Sequence, residues 1–159
     1  MIPAFSKKDA ISLDEITISS NYQSKSSLMD NAGRNIAQFI VENIPNPFNQ
    51  KFIVIAGPGN NGGDAIICHY YLHLYNVSSE LLLFSKQRKE SWIFNEYSIN
   101  DNSIQFFNDK YNLDPNAWYV DGIFGIGLKR NVEGIYKELI DKMDNCPLTI
   151  SIDIPSGIY

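Results

Sequence analysis

Ile53-Val54-Ile55-Ala56-Gly57-Pro58-Gly59-Asn60-Asn61-Gly62-Gly63-Asp64 is an apolar run that breaks into a turn rich in glycine and asparagine, with a helical stretch directly after it. Four small or β-branched apolar residues in succession suit a strand covered on both faces, as in a parallel sheet. The glycines permit tight turning and let a ligand approach backbone amides closely. A helix opening just beyond them presents an N-terminus that attracts anions.

Outward from this stretch, apolar and polar runs alternate. On the N-terminal side, Leu28, Met29, Ala32, Ile36, Ala37, Phe39, Ile40 and Ile44 recur at three- and four-residue steps, which predicts a helix from residue 26 capped by Ser26 or Ser27 and ended by Pro45-Asn46-Pro47. A further helix is expected over residues 8–19. On the C-terminal side the pattern predicts a helix over 65–75, a strand over 78–85, a helix over 87–98, a short strand over 104–107 and a turn at 112–116. A strand over 118–125, a helix over 132–143 and a strand over 148–152 complete the alternation. This order implies one α/β domain, residues 1–159: a Rossmann-like three-layer α/β/α sandwich with a mainly parallel sheet.

Bulk properties narrow the function. A chain of 159 residues can bury a core without disulfide or metal staples. A net charge of −5 argues against a sequence-independent grip on nucleic acid, and Lys86-Gln87-Arg88-Lys89 is too short to reverse that, reading as a solvated helix start. Cys68 and Cys146 belong to no metal-binding spacing and read as buried free thiols. With no signal-peptide pattern and no apolar run of membrane-spanning length, a reducing, cytoplasmic setting is expected.

In an open parallel sheet, ligands bind beyond the carboxyl ends of the strands. Three strand ends carry unusual polar content: Asn60, Asn61 and Asp64; Asp121; and Asp153 with Ser156. The first loop satisfies GxGxxG, but the next strand ends Leu83-Phe84-Ser85 without the acid that would hold a ribose, which disfavours an ordinary nicotinamide dehydrogenase. Gly63-Asp64 stands where a P-loop needs Lys and Ser or Thr. His69 and His73 share a helix face, yet Tyr70 occupies the place of the glutamate in HExxH, so surface or packing roles are expected. Ser156 lies in Pro-Ser-Gly rather than a GxSxG elbow. Two carboxylates converging with amide and hydroxyl oxygens suit either a hard-cation site or an acid/base site.

Gly57-Pro58-Gly59-Asn60-Asn61-Gly62-Gly63-Asp64, Asp121-Gly122-Ile123-Phe124-Gly125-Ile126-Gly127-Leu128 with Val132-Glu133-Gly134, and Asp153-Ile154-Pro155-Ser156-Gly157 resemble, in order and spacing, the YjeF N-terminal domain, the NAD(P)HX epimerase family. Met29-Asp30-Asn31-Ala32-Gly33 fits the early helix of that family. The resemblance implies an isomerase of nicotinamide nucleotide repair that interconverts the R and S forms of hydrated NADH and NADPH for a partner dehydratase acting on the S form. It implies substrate contacts from Asn60, Asn61, Gly62, Gly63 and Asp64, from Gly125, Ile126, Gly127, Leu128, Lys129, Arg130 and Asn131, and from Asp153. It further implies a potassium ion held by Asn61, Asp121 and Ser156, and a homodimer. Asp121 or Asp153 is expected to move the proton as the hydroxyl at ring carbon six leaves and returns, or as the ring opens and recloses. Ala65 departs from the family's usual glycine, Asn131 from a frequent proline and Tyr159 from a common acid, and the family's usual C-terminal strands are expected to be lacking after Tyr159. The alternative is a non-catalytic dimerisation or interaction scaffold of the same fold.

Overall fold

The computed structural model describes residues 6–85, 92–99 and 101–158. Five strands form one parallel sheet in the order β3-β2-β1-β4-β5, with β1 Phe52–Ala56, β2 Ser79–Leu83, β3 Ile104–Phe106, β4 Trp118–Gly122 and β5 Thr149–Ser151. The chain winds from β1 outward to β3, then returns to start β4 on the other side of β1. The point where the winding reverses, between β1 and β4, is where such sheets bind ligands.

Alternate residues of the central strands feed two cores. Val54, Ala56, Leu81, Leu83 and Val120 face one layer of helices, built from α2 (Lys25–Asn43), α3 (Asn60–Leu74) and α4 (Trp92–Glu96). Ile53, Ile55, Leu82 and Tyr119 face the opposite layer, where α5 (Gly134–Met143) contributes Leu139 and Met143. The sheet is thus covered on both faces, which explains why β1 reads as an unbroken apolar run, and the expected three-layer α/β/α sandwich is the fold observed. Among the described residues no helix is long and apolar enough to cross a membrane.

Several element boundaries differ from the sequence expectation, and β4 ends at Gly122 rather than at residue 125. The cap of α2 is Ser24, whose hydroxyl accepts from the Ser27 amide at 3.1 Å, while Ser26 and Ser27 lie inside the helix. The helix α3 starts at Asn60 rather than Ala65, so most of the asparagine-glycine stretch is its first turn. Only residues 92–96 of the helix expected over 87–98 are helical among the described residues, and residues 86–91, with the basic cluster, lie outside them.

His69 is buried, with Nδ1 2.8 Å from Ser79 Oγ and Nε2 3.0 Å from Ser103 Oγ, and His73 Nε2 lies 2.8 Å from the Ser79 carbonyl oxygen. Both histidines therefore tie α3 to the start of β2, so of the surface and packing roles expected for them the structure gives packing. Burial first, then the neighbouring His73, pushes the His69 pKa down to about 3.

The α2–α3 contact sets the position of the site. A Cβ at Gly33 would lie 2.6 Å from Ile67 Cβ and 2.9 Å from the Asp64 carbonyl oxygen, so the two helices approach as closely as they do only because residue 33 has no side chain. Gly33→Ala is expected to cost about 1–3 kcal/mol through forced separation of the helices, read as a lowered urea midpoint.

Candidate active site

The register places three polar strand ends side by side. Ala56 pairs with Gly122 across β1 and β4, and Asp121 pairs with Ser151 across β4 and β5. The turns that follow, residues 57–59, 123–131 and 152–158, therefore gather over the switch point.

Asp121 is the hub. It is 3% exposed, and its carboxylate accepts from the Ile123 amide at 3.1 Å, the Ser156 amide at 2.8 Å and the Ser156 hydroxyl at 2.6 Å, with Ser151 Oγ at 3.5 Å. The Ser156 hydroxyl also accepts from the Phe124 amide at 2.9 Å. Asn61 Nδ2 donates to the Phe124 carbonyl at 3.0 Å, which joins the start of α3 to the same cluster. Asn61, Asp121 and Ser156, the three residues expected to hold a cation, are thus brought together. The Asp121 oxygens are taken up by two of the turns and by Ser151 of β5.

Asp153 is different. It is exposed, its Oδ2 accepts from the Ile126 amide at 2.7 Å, and among the described residues Oδ1 accepts no hydrogen bond. A Cβ at Gly125 would crowd this carboxylate, so a larger residue there would make the Asp153 side chain shift. In that turn the Leu128 amide donates to the Gly125 carbonyl at 3.1 Å, and Gly127, Lys129, Arg130 and Asn131 are exposed.

Asp64 is the residue whose role the sequence leaves open. Because α3 begins at Asn60, Asp64 sits a full turn into the helix rather than at its start, partly buried and without a side-chain hydrogen bond among the described residues. Burial is the main cause that pushes its carboxyl up to about 7, the nearby Asp153 and Asp14 carboxylates add to the rise, and Lys25 opposes it. A carboxyl that is half neutral near pH 7 is suited to both give and take a proton. Asp14 belongs to α1 (Lys7–Ser19), so the N-terminal helix passes within electrostatic reach of the site.

The first turn of α3 supplies another feature. Gly59 caps it without a side-chain hydrogen bond, which leaves the leading amides available to an anion. Gly62 and Gly63 are buried beneath it, and the Ala65 methyl packs where Gly122 lacks a side chain, which accommodates the departure from the family's glycine.

Among the described residues no three His, Cys, Asp or Glu side chains group to hold a metal. The oxygens around Asp121 are another kind of site: its carboxylate, the Ser156 hydroxyl and the Phe124 carbonyl, to which the Asn61 amide donates, a set whose chemistry suits a hard monovalent cation. Lys25 and Trp92, which border the site on its β2 side, carry no signal in the sequence, since neither lies in a strand-end motif and only the tertiary fold brings them to the loop.

The family profile described as "YjeF-related protein N-terminus" matches residues 25–159. The chain is similar to a protein of Entamoeba histolytica named NAD(P)H-hydrate epimerase, 31% identical over 157 residues that cover 95% of this chain and 68% of that protein. It is also similar to a protein of Dictyoglomus turgidum named bifunctional NAD(P)H-hydrate repair enzyme, 33% identical over 138 residues that cover 82% of this chain and 27% of that protein. Among solved structures, the crystal structure of yeast ynu0 has the same fold, with a TM-score of 0.80 and 24% identity over 98% of this chain and 72% of that one.

Proposed function

This chain belongs to the YjeF-related N-terminal family, and from that premise we propose that it is an isomerase interconverting the R and S forms of hydrated NADH and NADPH. The observation that carries the chemistry is the Asp64 carboxyl, raised to about 7 and free of a hydrogen-bond partner among the described residues, beside a second carboxylate with an open oxygen. A scaffold would have no use for such a pair.

In the hydrate, the hydroxyl sits on ring carbon six, next to the ring nitrogen. Asp64 donates its proton to this hydroxyl, the C6–O bond breaks, and water departs as the nitrogen lone pair forms the C6=N bond. Water then adds to the opposite face and gives a proton to Asp153 or to the Asp64 carboxylate, so that one C–O bond is broken and one made with no net change in protons. Asp121 is assigned a positioning role, because its oxygens hold the Ile123 amide and both donors of Ser156. Residues 60–64 and 125–131, with Asp153, form the walls around the substrate.

Asn61, Asp121 and Ser156 would hold the potassium ion, which when bound supplies positive charge beside the buried Asp121 carboxylate. The homodimer reading is supported by α1, which exposes Ile11, Leu13, Ile16 and Ile18 along its length. The fusion implied in the name of the Dictyoglomus turgidum relative supports a dehydratase as the functional partner. Two free, buried thiols support a cytoplasmic setting.

The test supplies R-NADHX with an excess of S-specific dehydratase in potassium buffer. The protein is expected to accelerate consumption of the R form, with the rate falling when choline replaces potassium. Consumption at the protein-free rate would remove the epimerase reading.

A further inference from the structure

Resting on the epimerase reading, we propose that a cavity on the β2 side of the loop receives the adenosine end of the dinucleotide, with the Trp92 indole as the stacking face for adenine and Lys25 as the cation for a phosphate. The cavity measures about 470 Å³ and is lined by Lys25, Ser26, Met29, Pro58 and Trp92, with Gly59 and Asn60 at the side it shares with the loop. That volume lies within the range of small-molecule sites, about 300–1,000 Å³.

The cavity is a built feature. Asp30 on α2 accepts from the Tyr71 hydroxyl of α3 at 2.9 Å and from the Tyr97 hydroxyl, one residue past α4, at 2.7 Å, both on the same oxygen. This junction fixes the α2 wall that carries Lys25 and Ser26 against the α4 wall that carries Trp92. Trp92 is partly buried against the core beneath it. Among the described residues Lys25 has no ion pair within 4 Å and the Asn60 side chain makes no hydrogen bond, so both polar groups remain available.

Charge and distance place this cavity relative to the chemistry. Asn60 lines the cavity and lies one helical turn before Asp64 on α3, so cavity and reacting carboxyls are within reach of one extended ligand. The uncapped first turn of α3 lies between them, where a diphosphate is stabilised. The hydrated nicotinamide ring has no anionic group for Lys25, whereas the diphosphate and the 2′-phosphate of NADPHX do. An indole face suits a flat purine and does not suit the saturated carbons of the hydrated ring.

The experiment compares KM for NADHX with KM for the hydrate of reduced nicotinamide mononucleotide, which lacks the adenosine end. In the wild type the mononucleotide should show a KM about tenfold higher or more, the ordinary worth of one stacked base. Trp92→Ala should bring that ratio towards one, Trp92→Phe should keep most of it, and Lys25→Glu should raise KM more for NADPHX than for NADHX. A fold defect lowers activity on both substrates alike, so the ratio reports the cavity. A ratio near one in the wild type, or one that Trp92→Ala leaves unmoved, would overturn the proposal. If the wild type epimerises no hydrate, the activity reading fails and the cavity is judged by binding. In a Trp118→Phe background, ADP-ribose should then quench Trp92 fluorescence saturably, and no quenching would overturn the inference.

Discussion

Asp64→Asn should lower kcat by about 100- to 10,000-fold, the usual contribution of one acid/base group, while raising Tm at pH 8. The two effects have one origin. The Asp64 carboxyl keeps its proton up to about pH 7 in the folded protein, against an ordinary value of 3.8. Between those two values the unfolded chain has released a proton that the native state still holds, so the stability of the wild type falls as pH rises through that window and is level above it. Asparagine does not titrate. The stability difference in favour of Asp64→Asn should therefore be absent below about pH 4, grow from there to about pH 7, and amount to roughly 2 kcal/mol or more at pH 8, on the order of 5 °C in Tm. His69 also titrates differently in the folded state, but it is common to both proteins and drops out of the comparison. In kcat/KM of the wild type the same group should give an alkaline limb near pH 7. In the residual activity of Asp153→Asn that limb should move to lower pH, because a like charge that raises Asp64 has been removed. An Asp64→Asn protein with wild-type kcat, or one whose Tm difference is independent of pH, would remove Asp64 from the proton transfer.

Asp121→Ala should be the most destabilising change at the site. Its removal leaves the Ile123 amide, the Ser156 amide and the Ser156 hydroxyl without their acceptor. An unmet buried donor costs about 1–3 kcal/mol, so the expected loss is on the order of 3–5 kcal/mol, a large share of the stability of a single domain. Asp121→Asn keeps one acceptor oxygen and should lose roughly half as much. Urea midpoints measure the cost, and hydrogen exchange at residues 121–126 and 152–158 should show both turns losing protection together while β1 and β2 keep theirs. If Asp121→Ala changed stability by less than about 0.5 kcal/mol, Asp121 would not be holding the two turns, and its carboxylate would have to be reconsidered as a direct participant.

Much of this organisation is legible in the residues themselves. The alternation of apolar runs and helical periodicity marks the five strands, because a strand covered on both faces must be apolar throughout, as Phe52 to Ala56 is. The strand-end polar residues are conspicuous for the same reason: Asn61, Asp121 and Ser156 interrupt apolar sequence where nothing but a site or a turn explains them, and the structure joins them through Phe124. The start of α3 is less legible. Asparagine and glycine favour turns locally, yet Asn60 to Gly63 form the first turn of α3, with Gly62 and Gly63 buried. That shift of one turn is what moves Asp64 from a helix-start charge to an isolated carboxyl facing the site. The distinct duties of Asp121 and Asp153 are also invisible in sequence, since they follow from burial and from which amides point at each carboxylate. The Lys25 and Trp92 wall depends on the two tyrosine hydroxyls that meet at Asp30, a contact spanning 41 residues to Tyr71 and 67 to Tyr97.

On the proposed chemistry this domain inverts carbon six of the hydrated nicotinamide ring. Chromatographic resolution of the two epimers, starting separately from pure R-NADHX and pure S-NADHX in potassium buffer, examines it without a coupling enzyme. The wild type should drive both samples to one common R:S ratio far faster than Asp64→Asn does. Samples that keep their starting composition as long as the protein-free controls would show that the site does not perform this chemistry.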